Sequence, residues 1–298
     1  MRPNRPSQTA AWVAALRGLD ALLPPSARLV KDPYGLEFGQ SAVATLARAA
    51  ARAPGPASRV LRLIPPLQRL LLWMQVRTRV LDEEVIHFTA LGGRQVVLLG
   101  AGYDCRAVRL GEVLSASTVV EVDHPATQAR KREVLEGRAA QGAPVRYLAW
   151  DFEARPMAQL PEALRSLGHD ATQPTLTLWE GVSNYLSAQA IEDTFAAVRG
   201  WSAEGSRMAF TYFDQRGLFS AQHGGGLEGR VVSLVGEPFR SGFDPAQLGG
   251  WLGTRGFSLE KDHSDTELCR TWLPATGAAQ AATGTRHIAV AVKGPTRV

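Results

Sequence analysis

From residue 95 onward the chain repeats one pattern: a short apolar run, a stretch of helical periodicity, then another apolar run. The runs cover 95–99, 117–122, 145–149, 175–179 and 207–212, with two later ones at 257–261 and 288–292. Helical stretches separate most of them, at about 104–114, 124–141 and 187–203. Strands that alternate with helices make βαβ units and a mostly parallel sheet. Runs that are apolar almost throughout fit strands covered on both faces. The expected fold is therefore α/β: a doubly wound, mostly parallel, seven-stranded, Rossmann-like sheet. Residues 276–284, rich in Ala, Gly and Thr, read as a mobile loop between the last two strands. The segment 215–245, with Gly224-Gly225-Gly226, reads as an irregular insertion on the substrate side.

Before residue 92 the texture is different. Prolines at 24–25, 33, 54, 56 and 65–66 divide helical stretches, and Asp32-Pro33 reads as a turn because the residue before proline avoids the helical region. The expected organisation is a helical cap or lid over 1–91 and an α/β domain over 92–298. Composition is that of a globular chain, 45% hydrophobic and 20% charged. The net charge of +5 comes from scattered arginines, and no basic run interleaved with aromatics points to nucleic acid. Two cysteines, Cys105 and Cys269, are too few for a disulfide framework or a zinc site, so no metal is expected and a reducing, cytoplasmic setting is. The apolar run 10–23 is interrupted by Arg17 and Asp20, which favours an amphipathic helix over a leader. The stretch 61–74 contains Arg62, Pro65, Pro66, Gln68 and Arg69, so it lacks the about 20 clean residues of a span, and no membrane partner is expected.

Chemistry concentrates where apolar runs end. Leu99-Gly100-Ala101-Gly102-Tyr103-Asp104 lies between a strand and a helix, where open α/β sheets bind ligands and glycine lets backbone approach them. A dinucleotide fingerprint needs a third glycine where Cys105 stands, which disfavours a nicotinamide oxidoreductase. A cofactor without pyrophosphate needs only the shorter turn. Glu121-Val122-Asp123 ends the second run at the spacing of a ribose-binding acid; Glu121 and Asp123 fall on one side of the strand, and either can serve. Asp151 and Phe152 follow the third run, Asp151 either as an ordinary loop residue or as a contact to an adenine edge, with Phe152 as its apolar wall. Glu180 ends the fourth beside the crevice, a partner for a cationic group, and Tyr185 follows it as a substrate-positioning candidate. Upstream, Leu67, Leu70, Met74, Leu81, Val85 and Phe88 share one helical face, Arg77 lies toward it and Arg79 points away. A buried arginine needs an anionic partner, so Arg77 reads as a clamp on a carboxylate of cofactor or substrate.

Taken in order, these residues resemble the leucine carboxyl methyltransferase family, including its bacterial branch of natural-product carboxyl O-methyltransferases. The resemblance spans about 8–215 and rests on Thr9-Ala10-Ala11 through Arg17, Asp32-Pro33-Tyr34, Arg77-Thr78-Arg79 with Asp82, the Gly100–Asp104 turn, Glu121-Val122-Asp123-His124-Pro125, Asp151, and Glu180-Gly181-Val182 with Tyr185-Leu186. It implies a class I methyltransferase fold and S-adenosylmethionine as cofactor. Arg77 would hold the methionine carboxylate, Gly100, Gly102 and Asp104 the glycine turn, Asp123 the ribose, Asp151 and Phe152 the adenine, and Glu180 the methionine amine. Ser183-Asn184 stands where the family usually has an apolar pair.

The activity so implied is O-methylation, with a small-molecule carboxylate as acceptor. An ionised carboxylate needs no general base, which matches the lack of a convincing one. A hydroxyl acceptor would need one, and His223 or His263 would be the candidates. A cofactor-binding regulator without turnover and methylation of a protein C-terminus are the other readings. Assembly state and pathway are not written in the sequence.

Overall fold

The computed structural model describes residues 6–39, 41–136, 143–216 and 239–295. Gln95–Leu99 (β1) is buried along its whole length. Its side chains alternate between two cores: Val96 and Leu98 enter one, Val97 and Leu99 the other. Thr175–Trp179 (β4) does the same, with Leu176 and Leu178 on the first side and Trp179 on the second. A strand with both faces covered carries few polar side chains, hence the nearly continuous apolar runs of the sequence, and the buried Thr175 and Thr177 hydroxyls of β4 are hydrogen-bonded to His169 and Trp201.

The remaining strands are Thr118–Asp123 (β2), Val145–Ala149 (β3), Arg207–Phe213 (β5), Phe257–Ser264 (β6) and Arg286–Lys293 (β7). They form one seven-stranded sheet in the order β3-β2-β1-β4-β5-β7-β6. The pairs among β1 to β5 are parallel, and β7 runs antiparallel to both its neighbours. The chain steps outward from β1 to β2 and β3, then returns to place β4 on the other side of β1. The connections therefore diverge at the carboxyl ends of β1 and β4 and open a crevice there.

Pro65–Ala90 (α4) is 26 residues long, with its two prolines in the first turn, where missing N–H groups cost nothing. Its Leu72, Leu81 and Val85 share a core with Val96, Leu98 and Val290 of the sheet and with Leu16 of Gln8–Arg17 (α1). Ala42–Arg52 (α2) and Pro54–Leu61 (α3) complete the helical cap. On the other face, Leu160–Ser166 (α7), Ala188–Trp201 (α8) and the helix Pro245–Gly253 pack Leu164, Phe195, Trp201 and Leu252 against Val97, Trp179 and Phe210.

Three local expectations change. The segment 276–284 is a loop only in its last three residues: Ala275–Ala281 is a helix that buries Ala278 and Ala281. Alanine is the best helix former, and packing against α4 stabilises so short a piece. The preceding helix Asp265–Trp272 starts with a capping box between Ser264 and Glu267. The stretch 104–114 yields only Arg106–Arg109 (α5) before turns that contain Gly111. The stretch 124–141 gives Pro125–Leu135 (α6), and residues 137–142 lie outside the described residues, as do 217–238 of the expected insertion with its Gly224-Gly225-Gly226 and His223. Among the described residues no helix is long and apolar enough to cross a membrane, and no cluster of three or more His, Cys, Asp or Glu is placed to hold a metal.

Candidate active site

The loops that follow β1, β2, β3 and β4 line a cavity of about 970 Å³. Ser7, Ala10 and Val13 of the N-terminal segment border it too. The Ser7 N–H donates to Thr127 Oγ1 at 3.0 Å, which ties the start of α1 to α6.

Gly100 and Gly102 shape the first loop. Both have positive φ, +69° and +50°, a region that side chains avoid. A Cβ on Gly100 would stand 2.8 Å from Val182 Cγ2 of the loop after β4. The turn aims the Gly102 N–H at Asp123 Oδ2, 2.6 Å away, while the His124 N–H donates to Asp123 Oδ1 at 2.7 Å. Asp123 is thus held rigidly by two backbone donors, and each oxygen keeps a lone pair for a ligand hydroxyl. Burial pushes its pKa up, against the pull of these two N–H groups.

Glu121 is not brought to the cavity. Its Oε2 accepts from Lys131 Nζ at 2.6 Å, with both side chains buried. The two acids do share a side of β2, but the cavity reaches only the end of the strand, and Glu121 borders a separate small cavity beside Asp104 and Tyr147.

Arg77 comes from the buried face of α4, as its helical phase requires, whereas Arg79 pairs with Glu83 on the half-exposed side. The Arg77 Nε lies 2.8 Å from Glu180 Oε1. The N–H is not aimed at that oxygen, and both atoms are buried without a hydrogen-bond partner among the described residues. A cation and an anion stand side by side at the cavity wall with unused hydrogen-bonding capacity. That pair fits a ligand end that carries both a carboxylate and an ammonium.

Arg106, which sequence reasoning did not single out, organises this wall. It is 1% exposed. Its Nε donates to Asp82 Oδ1 at 2.7 Å, and its Nη1 donates to Glu180 Oε2 at 2.7 Å and to Asp104 Oδ2. Arg109 adds two bonds to Asp82, at 2.8 and 3.0 Å. Arg17 is held by Asp32 Oδ2 at 3.0 Å and by the Tyr103 carbonyl at 2.6 Å. Burial alone would raise the pKa of Glu180, but Arg106 and Arg77 bring it down to about 2. Burial likewise opposes the charge on Asp104, and Arg106 and Arg17 outweigh it, so its pKa falls. Arg77 has the opposite balance: burial lowers its pKa, Glu180 opposes this, and Arg17 and Arg106 add repulsion. It is the least compensated cation of the group and so the one best placed to take an outside carboxylate.

The depressed pKa of Glu180 has a consequence for acid stability. Its value is lower in the folded chain than its ordinary 4.5, so its contribution is complete above that ordinary value and lost as pH falls toward about 2. Stability followed by denaturant titration is expected to drop across that window in the native chain and less steeply in Glu180→Gln. Equal slopes would show that Glu180 is not held ionised by its arginines.

At the β3 end, Asp151 Oδ1 accepts from the Glu153 and Ala154 N–H groups at 3.0 and 3.3 Å. Phe152 is 39% exposed on the cavity wall. His124 Nδ1 accepts from the Ala126 N–H at 3.2 Å, and Nε2 lies 3.9 Å from Asp151 Oδ2. At the other end, Tyr185 borders the cavity and packs on Phe239 with ring centroids 5.5 Å apart. The Arg240 N–H donates to the Asn184 carbonyl at 2.7 Å, which seats Arg240 on the cavity edge. The polar pair Ser183-Asn184 also has a structural role: Ser183 Oγ donates to the Thr211 carbonyl at 2.7 Å and stitches this turn to β5. The cavity therefore gathers Arg77, Gly100, Gly102, Asp104, Asp123, Asp151, Phe152, Glu180 and Tyr185, and leaves out Glu121. Arg17, Arg106, Ser7 and Arg240 were missed; Asp104-Cys105-Arg106, an acid and a base around one residue, was the readable trace of the first network.

A doubly wound sheet with a glycine turn, a rigid acid after β2 and an Arg–Glu pair at the switch point defines a nucleoside-cofactor-binding α/β protein of the class I methyltransferase kind. The leucine carboxyl methyltransferase model matches residues 10–199. A Streptomyces coelicolor protein is 37% identical over 183 residues, which is 61% of this chain and 61% of that protein. A Mycobacteroides abscessus protein is 34% identical over 264 residues, 84% of this chain and 81% of its own length. Both are named as S-adenosylmethionine-dependent methyltransferases. Among solved structures, a DUF574 family protein from Streptomyces avermitilis shares the fold with a TM-score of 0.55 at 18% identity, covering 80% of this chain and 91% of that one. The chain belongs to the leucine carboxyl methyltransferase family, whose cofactor is S-adenosylmethionine.

Proposed function

We propose that this chain transfers the methyl group of S-adenosylmethionine to a carboxylate oxygen of a small molecule, producing a methyl ester. Arg77 would hold the cofactor's carboxylate, Glu180 its ammonium, Asp123 its ribose hydroxyls, and Asp151 with Phe152 its adenine. The cofactor supplies an electrophilic sulfonium methyl. The chain's own groups bind and orient: Gly100 and Gly102 leave room at the turn, and Tyr185 and Arg240 border the end of the cavity beyond Glu180.

One observation carries the choice of acceptor. Among the described residues, His124 is the single imidazole on the cavity. Its Nδ1 serves as the cap of α6, and its Nε2 lies beside Asp151, on the adenine side of the proposed site. His263 lies on β6 and does not line the cavity. Among the described residues, which do not include His223, the end that holds Tyr185 thus offers a cation, Arg240, and no imidazole. A carboxylate acceptor, with a reference pKa near about 4, arrives ionised at neutral pH and has no proton to remove. Catalysis then reduces to alignment of oxygen, methyl and sulfur.

The test is the product. With radiolabelled cofactor and carboxylic acid or phenol acceptors, the label should appear with the acids and be released as volatile methanol by mild alkali. The rate constant kcat/KM should stay level from about pH 8 to about pH 6, well above the acceptor's pKa. Alkali-stable label on a phenol, with a rate that falls below the pKa of a base, would move the assignment to hydroxyl methylation.

A further inference from the structure

Between Phe38 and Leu81 the chain carries seven arginines and no aspartate or glutamate. Four of the seven are engaged. Arg48 donates to the Leu36 and Gly39 carbonyls, Arg69 to the Gln280 carbonyl, Arg77 faces Glu180 and Arg79 pairs with Glu83. The other three, Arg52, Arg59 and Arg62, are exposed, and none pairs with an acid among the described residues.

The same corner exposes aliphatic side chains. Val60 is 56% exposed, Leu63 81% and Ile64 40%. They lie at the tight turn that joins α3 to α4, with Leu63 N–H on the Val60 carbonyl at 3.0 Å and Ile64 N–H on the Leu61 carbonyl at 2.9 Å. The three are exposed together at this one corner. Leu46, on α2 beside α3, is a further 70% exposed leucine. A leucine four-fifths exposed projects from the surface and does not sit in a groove. An aliphatic tip flanked by uncompensated arginines matches a layer that is apolar within and anionic at its face.

We propose that the corner formed by α2, α3 and the start of α4 docks on an anionic lipid surface. Val60, Leu63 and Ile64 enter the interfacial layer, and Arg52, Arg59 and Arg62 meet the headgroups. Docking of this kind lies on the surface and involves no span. None of these six residues lines the cavity, so cofactor affinity is an independent control.

The full chain would be sedimented with vesicles of mixed phosphatidylglycerol and phosphatidylcholine and with vesicles of pure phosphatidylcholine. The expected result is pelleting on the anionic vesicles alone, weakened by added salt. The pair Leu63→Glu with Ile64→Glu should lower the bound fraction by about tenfold or more while S-adenosylhomocysteine affinity is unchanged. If that pair perturbs the fold, Arg59→Glu with Arg62→Glu reads the same surface. Failure of the native chain to pellet, or pelleting that neither pair reduces, overturns the proposal. So does self-association of the native chain that Leu63→Glu abolishes, since the patch would then be a protein interface.

Discussion

Arg106→Met is expected to destabilise the fold by roughly 3–5 kcal/mol, the range for removal of one partner from a buried ion pair. Arg106 joins Asp82 on α4, Asp104 after β1 and Glu180 after β4 through three side-chain contacts. Methionine fills much the same space but leaves Asp104 and Glu180, largely buried carboxylates, short of their strongest compensating charge. Arg109 still serves Asp82 through two hydrogen bonds, so the loss falls on the two cavity acids. Arg106→Lys should fall between the two chains, because one ammonium keeps the charge but cannot reproduce a planar fork that reaches three carboxylates. Guanidinium titration of the three chains measures this, with the midpoint falling in the order native, lysine, methionine. A methionine variant within about 1 kcal/mol of the native chain would mean that the acids reionise or rehydrate freely and that the network contributes little.

The same network shows where sequence reasoning ends. The central strands were readable because β1 and β4 are buried along their whole length and carry apolar runs that need no knowledge of their neighbours, whereas the edge strands β3 and β6 are partly exposed and gave a weaker signal. Arg77 was readable for a similar reason: helical phase alone assigns it to the buried side of α4. Arg17 with Asp32, and Arg106 with Asp82 and Glu180, join separate parts of the chain, and Arg106 reaches Glu180 because β4 lies next to β1. No local period records which arginine faces which acid. Glu121 and Asp123 pose a milder form of the problem. Alternation places both on one side of β2, and the difference is that Lys131, in the second turn of α6, reaches the first. The helix Ala275–Ala281 was hidden because its sequence is as good for a loop as for a helix until α4 offers a surface for Ala278 and Ala281.

Arg77→Ala is expected to weaken S-adenosylhomocysteine binding by roughly 30- to 1000-fold, about 2–4 kcal/mol, as befits loss of one member of a desolvated charge pair. The reason is specific to one end of the ligand. Arg77 is buried, repelled by Arg17 and Arg106 and compensated chiefly by Glu180, so an incoming carboxylate relieves a charge imbalance already present. A ligand without the amino-acid end should not feel the change. Calorimetric titration with 5′-methylthioadenosine, which retains the adenine, the ribose and the sulfur, should therefore give nearly the same affinity for both chains. Arg77→Lys should recover part of the loss, since a point charge replaces the bidentate fork. The pairing of ligands separates the outcomes. Selective loss of the amino-acid ligand places Arg77 on its carboxylate; equal loss of both ligands means that the substitution has deformed the cavity; unchanged binding of both removes Arg77 from the site and leaves it as a structural partner of Glu180.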